Sequence, residues 1–342
     1  NANPRAAPSD PAAIDFFLRG RHEYRKFWPD PVRASIELFD KALALAPSDP
    51  VILSSAALAR ARLAFFSGEG LAEAVALSER AVALAPNLGE ARLARGNVVF
   101  QLGDTAAALR ELKMAIARSP GLAEAHASLG RILIELGDLD EGVRRLETAL
   151  ELDSHVPLAA TALARVFAIT GDWHRVEAMA LLSAVTDGVA SSHTLRARLA
   201  LWKRDIEAAR ATLLQIEDMG LQALVSVALL ELVVRRKVPD FLTLVPQNHG
   251  RPQTLPGASN AATLRRNTFF MQITAETQMF LGDREAAVAA LANAVDNALI
   301  DLLWLERCPL WDDELRAMPL YQSSLARMRR RCADLLDAYR AS

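Results

Sequence analysis

Six histidines, two cysteines and a few runs of acids or glycines are the residues of this chain whose types could do chemistry, and their spacing assigns none of them a reaction. His22, His126, His155, His174, His193 and His249 are scattered without the HxxxH or HExxH spacing that sets two imidazoles on one helical face for a metal. Cys308 and Cys332 form no CxxC pair and have no histidine ligands nearby, the pattern of two reduced thiols in a cytosolic protein. Gly68-Glu69-Gly70-Leu71-Ala72-Glu73 lacks the third glycine of a dinucleotide loop and follows a helical pattern, so a turn between two helices accounts for it. Asp312-Asp313-Glu314, after Pro309 and before Leu315, suits the acidic first turn of a helix rather than paired general acids. Arg329-Arg330-Arg331 reads as the solvated face of a terminal helix. No catalytic, cofactor-binding or metal residues are expected, and no cofactor. An enzymatic role would need His249 and Arg251 to meet residues far away in the sequence.

The elements that must position any site are helical. Of 342 residues, 63 are alanine and only 6% are aromatic, a balance that favours closely packed helices over sheets. The 39 Lys+Arg against 41 Asp+Glu give a net charge of -2, so there is no overall basic field for nucleic acid or anionic membrane. The longest apolar run, Leu221 to Val234, is broken by Gln222, Ser226 and Glu231 and is shorter than the ~20 residues a bilayer span needs. Neither a transmembrane segment nor a signal peptide is expected, and the expected location is the cytoplasm. The chain opens at Asn1 without a methionine and runs through Pro4, Pro8 and Pro11, as a piece of a longer polypeptide would. Residues 1–14 are expected to be disordered or linker-like.

An internal period organises the rest. Gly-Asp recurs at Gly103-Asp104, Gly137-Asp138 and Gly171-Asp172, at intervals of 34 residues, and Pro86 and Pro120 keep the same interval. Apolar residues follow helical spacing before and after each pair, as in Ala91, Ala94 and Val98, then Ala108, Leu112 and Ala115. Each repeat is therefore a helix, a tight turn and a second helix. Gly supplies the positive φ that ends the first helix, and Asp caps the second.

This pattern closely resembles the tetratricopeptide repeat, whose signature places a small residue at position 8, Gly at 15, Ala at 20 and 27 and Pro at 32. The repeat from Gly89 carries Gly96, Gly103, Ala108, Ala115 and Pro120, with Arg92 at the family's aromatic position 4. The repeat from Ala123 carries Gly130, Gly137 and Ala149, but has Gly142 at position 20 and Ser154 where proline is expected. Weaker copies surround these at Ala42 and Pro47, at Ala74, Ala81 and Pro86, at Arg204-Asp205 with Ala209, and at Gly282-Asp283 with Ala287 and Ala294. The resemblance implies an all-α, right-handed superhelix (an α-α solenoid) with a C-terminal capping helix. It gives about five to six repeats over 15–219, then an irregular helix and proline-rich inserted loop over 220–259. A further repeat and cap follow over 260–342, the cap covering the open apolar edge of the last repeat.

In such arrays, positions 2, 5, 9, 12 and 13 face the concave side. Position 9 reads Asn97, Arg131, Arg165 and Arg198, a row of guanidiniums suited to carboxylates, and position 12 adds an apolar strip of Phe66, Phe100, Ile134 and Leu201. Glu90, Glu124 and Glu135, at positions 2 and 13, are placed to neutralise the row. The resemblance thus implies a non-catalytic protein-interaction scaffold that binds an acidic or extended peptide in its groove. Phe16 to His22, Ala34 to Leu43 and Pro309 to Leu315 are similar to segments of the tetratricopeptide regions found C-terminal to the effector domains of bacterial regulators, namely nucleotide cyclases, winged-helix regulators and Ser/Thr kinases. The alternative is a self-association module that sets the oligomeric state of such an effector. Direct nucleic-acid or membrane binding is not expected.

Overall fold

The structure, a computed structural model, describes residues 10–26, 28–218, 229, 232–235 and 264–341. Every regular element among these residues is a helix. Six consecutive antiparallel pairs come first: α1 (Pro11–Arg25) with α2 (Pro29–Leu45), α3 (Pro50–Ser67) with α4 (Leu71–Leu84), and α5 (Gly89–Gln101) with α6 (Thr105–Arg118). They continue with α7 (Ala123–Leu136) and α8 (Leu139–Leu152), α9 (Ala159–Thr170) and α10 (Trp173–Thr186), and α11 (Val189–Trp202) and α12 (Ile206–Asp218). A C-terminal block follows, made of the pair α13 (Leu264–Leu281) and α14 (Arg284–Asp296), the short α15 (Leu302–Arg307) and α16 (Asp313–Ala317), and the long α17 (Pro319–Ala341).

The N-terminal boundary differs from the sequence expectation. Residues 11–14, placed in a linker-like segment, are the first turn of α1. Asp10 accepts hydrogen bonds from the Ala12 and Ala13 N–H groups, and Pro11 stands at the first helical position, where its missing N–H costs nothing. Of the irregular helix and proline-rich loop expected over 220–259, all but 229 and 232–235 lie outside the described residues.

The repeat turns work as their chemistry requires. Gly103, Gly137 and Gly171 take φ of 88°, 97° and 84°, and Asp104, Asp138 and Asp172 each accept a hydrogen bond from an N–H of the following helix. Gly142 has a packing reason to stand where the family places alanine. A Cβ there would lie 2.9 Å from the Gly130 carbonyl, and a Cβ on Gly130 would lie 2.8 Å from the Gly142 carbonyl, so α7 and α8 cross backbone to backbone. The 18-residue helix α3 is long and apolar enough to cross a membrane by length and composition alone, unlike any run singled out in the sequence. It packs between α2, α4 and α5, with ten of its residues buried.

The array then turns back on itself. The first helices of successive pairs, α3, α5, α7, α9 and α11, touch one another in turn and form one side of the solenoid. Against that side, α13 packs on α3 and α5, and α15 packs on α7 and α9. The terminal helix α17 lies along α14 and also reaches α6 and α7. The C-terminal block is thus more than an end cap, because it covers the first helices of the array. One continuous core runs from Tyr24 and Phe39 through Leu112, Leu133 and Leu163 to Trp304, Tyr321 and Met328.

Candidate functional site

A partly open cavity of about 460 Å³ lies between the first helices and the C-terminal block. Seven of the eight residues assigned to a groove, Asn97, Arg131, Arg165, Arg198, Phe66, Phe100 and Ile134, line it. The 34-residue period brings them together because equivalent positions of stacked helices share a face. Leu201 does not join them. It is buried in a separate small core with Ala197, Leu213 and Leu229, a correction to its assignment: this end of α11 is covered by α12 and by Leu229, Leu232 and Val233.

The arginine row is already largely engaged, and by acids that the period does not predict. Arg165 bonds Asp301, which is 2% exposed and also accepts from Gln272 Nε2 at 2.8 Å. Arg198 donates from Nε and Nη2 to both oxygens of Glu276, at 2.9 and 2.7 Å, and the Trp304 indole N–H donates to the same carboxylate at 2.7 Å. Burial works against the charge on Arg198, yet Glu276 outweighs it and lifts its pKa above the ordinary guanidinium value. Of the acids expected to neutralise the row, Glu135 pairs instead with Arg265 of α13 at 2.8 Å, and Glu90 and Glu124 make no ion pair among the described residues. Asn97 donates to the Leu93 carbonyl and accepts from the Ser128 hydroxyl.

Arg131 is the exception. It lines the cavity but makes no hydrogen bond or ion pair among the described residues. Burial lowers its pKa from the ordinary value, and the charges of Arg265 and Arg62 add to that, against the opposing pull of Glu135 and Asp187. Two further polar atoms at the cavity, Glu135 Oε2 and Arg165 Nε, are buried without a hydrogen-bond partner. The remaining wall is aromatic. Phe65 meets Phe269 at 5.7 Å between ring centroids, Trp28 stacks on Phe66 at 6.2 Å, and the Arg265 guanidinium lies 4.4 Å over Phe100.

Several of the other residues whose types could do chemistry are held in structural roles. Gly68 and Gly70 form the left-handed turn between α3 and α4. Asp312 caps α16, and Arg284 pairs with both Asp312 and Glu314. Arg329 pairs with Glu306, and Arg331 donates to the Val295 and Leu299 carbonyls. His126 is buried with Nε2 2.9 Å from the Pro120 carbonyl oxygen, while His249 and Arg251 lie outside the described residues. Cys308 and Cys332 are free and buried, and burial pushes the Cys332 thiol up to about 12. No group of three His, Cys, Asp or Glu side chains placed to hold a metal occurs among the described residues.

The residues that sequence reasoning missed are Glu276, Asp301 and Arg265, far along the chain from their partners. One signal was available. In α13, Gln272 and Glu276 fall among Thr268, Met271, Ala275 and Met279 on a face otherwise fit for burial, and a buried acid there requires a cation from elsewhere.

Residues 99–166 match the tetratricopeptide repeat family. This segment is similar to tetratricopeptide repeats. It spans the last turn of α5 through most of α9, the stretch where the tetratricopeptide signature is clearest in the sequence. Among solved structures, the chain is similar to Pseudomonas aeruginosa pilF, with 18% identity, 63% of this chain and 95% of that one covered, and a TM-score of 0.42. It is similar to a thermophilic tetratricopeptide repeat protein of Thermus thermophilus, with 23% identity, 55% and 97% coverage and a TM-score of 0.44. It is also similar to yeast Tom70, with 13% identity, 96% and 66% coverage and a TM-score of 0.45. No curated protein matches the chain by sequence.

Proposed function

We propose that this chain is a non-catalytic scaffold for protein partners, acting in the cytoplasm as the C-terminal sensor or docking region of a bacterial regulator. The repeats over 99–166 support the scaffold reading, since stacked helix pairs offer extended surfaces for other chains. The acidic-segment reading narrows to one position. With Arg165 and Arg198 engaged by Asp301 and Glu276, Arg131 is the member of the row left to meet an incoming carboxylate. The uncommitted Arg131 is the observation that carries this reading. Fluorescence anisotropy with labelled acidic and charge-neutral peptides tests it, using the wild type and Arg131→Glu. The expected result is salt-sensitive binding of the acidic peptide that the substitution removes. Equal binding of both peptides, or no effect of Arg131→Glu, would overturn the role of the row.

Self-association has separate support. Leu84 on α4, Leu152 on α8, and Leu181 and Val185 on α10 are 45–65% exposed on the second helices, away from the cavity. A dimer through that outer face predicts a doubled mass by light scattering and a monomer for Leu181→Glu plus Val185→Glu. A wild type that stays monomeric at high concentration would reject it.

A further inference from the structure

We infer that this cavity is a binding site for a small aromatic monocarboxylate, held with its carboxylate on Arg131 and its ring among the phenylalanines contributed by α3, α5 and α13. This rests on the reading that Arg131 receives a carboxylate from outside the chain, and it goes further by naming a free small molecule as the source.

Size is the first argument. A cavity of about 460 Å³ falls within the ~300–1,000 Å³ typical of small-molecule sites, and α13 and α15 lie over the first helices that form its floor. Charge is the second. Arg62, Arg131, Arg165, Arg198 and Arg265 line the cavity, against Glu124, Glu135 and Asp301, with Glu276 behind Arg198. Arg165, Arg198 and Arg265 each have their own carboxylate, and Arg62 donates to the Tyr24 carbonyl and lies 3.6 Å over the Tyr24 ring. Asp187, whose charge acts on Arg131, does not line the cavity and is engaged by the Thr161 hydroxyl and the Leu158 N–H. Among the lining residues and Glu276, cations thus outnumber acids by one, and the cation without a carboxylate of its own that faces the cavity is Arg131, which suits a monoanion. A phosphate dianion would face Glu124 and Glu135 with one free guanidinium to hold it.

The third argument is the wall. Phe65, Phe100 and Phe269 come from both sides of the closure, so a flat ring inserted there touches the array and the C-terminal block at once. A ligand so placed stabilises the closed arrangement in proportion to its occupancy. Two buried polar atoms without partners flank the site, Arg165 Nε as a further donor and Glu135 Oε2 as an acceptor for a ring N–H or hydroxyl.

The test is ligand-observed NMR and calorimetry on the full chain with three probes, 3-phenylpropionate, indole-3-acetate and benzoate, each beside its primary amide. A peptide ending in a free C-terminal phenylalanine forms a further arm. At least one free acid is expected to bind and to raise the melting temperature, with its amide at least about tenfold weaker because the charge on Arg131 is then unmet. Arg131→Met keeps the volume and removes the charge, and should weaken the acid at least tenfold while leaving the amide unchanged. Ala162→Phe keeps every charge and fills part of the cavity, and should abolish binding of both. The inference is overturned if none of the acids binds at 10 mM, on the order of the weakest affinities of interest, if acid and amide bind alike, or if both variants bind as the wild type does. Binding of the peptide alone, lost in Arg131→Met, would also overturn it while leaving the scaffold reading intact.

Discussion

Arg198, Glu276 and Trp304 form a buried knot in which one carboxylate serves a guanidinium and an indole N–H. Removing the acid strands a buried cation, so Glu276→Ala is expected to cost about 3–5 kcal/mol in urea unfolding, and Glu276→Gln clearly less because it still accepts. A cost below about 1 kcal/mol for Glu276→Ala would show that Arg198 finds water instead. A second acid, Asp187, gives a pH signature. Burial raises its pKa despite the Thr161 and Leu158 hydrogen bonds that pull the other way. The folded state therefore binds this proton more tightly than the unfolded chain does. Its stabilising contribution is full below the unfolded value of about 3.9 and is lost as pH rises through the higher folded value. Asp187→Asn cannot ionise, so the stability of the variant minus that of the wild type should climb across this window in thermal melts taken at successive pH values. A difference that stays flat would refute the buried-acid account. Position 9 of each repeat was legible from the period alone, whereas the partners of Arg165 and Arg198 were not, since a 34-residue interval reports which residues share a face and says nothing of what comes to lie on it.

At the scale of helices and turns the chemistry was nearly all local and therefore legible. Gly-Asp ends one helix and caps the next at Gly103, Gly137, Gly171 and Gly282, and each glycine takes a positive φ. Arg204-Asp205 marks the same turn without glycine: Asp205 still caps by accepting from Ala208 N–H, but exposed Arg204 is held at φ 61°. An L side chain in that region is strained by about 1 kcal/mol, so Arg204→Gly is expected to raise stability by up to that amount, a shift of a few degrees or less in differential scanning calorimetry. A lower melting temperature would mean that the Arg204 side chain contributes more than its backbone costs. The α7–α8 crossing makes the opposite demand. A methyl on Gly130 would need the Gly142 carbonyl to move, and Gly130→Ala should cost about 1–3 kcal/mol by chemical denaturation. At the start of α1 three prolines in the opening residues suggest a linker, while Asp10 before Pro11 is the stronger signal, an N-cap followed by the residue best suited to the first helical position.

For the whole molecule, the return of the C-terminal block onto the array joins residues more than a hundred positions apart, and Asp301 stands at the junction. Its carboxylate holds Arg165 of α9, accepts from Gln272 of α13 and caps α15 through the Trp304 N–H, all at 2% exposure. A solenoid held together only by neighbouring repeats would open locally, each pair according to its own stability. Closure changes that expectation, because α9 and α13 lose a shared anchor when the carboxylate is removed. Asp301→Ala should therefore cost on the order of 3 kcal/mol, and in hydrogen-exchange mass spectrometry the lost protection should appear together in peptides from α9, α13 and α15. The cavity lies between the same surfaces, so a carboxylate that binds at Arg131 should restore part of the protection in α13 that Asp301→Ala removes, by favouring the closed arrangement over the open one. Loss of protection confined to α15 would show that the C-terminal block is attached to the array without being coupled to it, and the cavity would then have no means of passing its occupancy to the repeats.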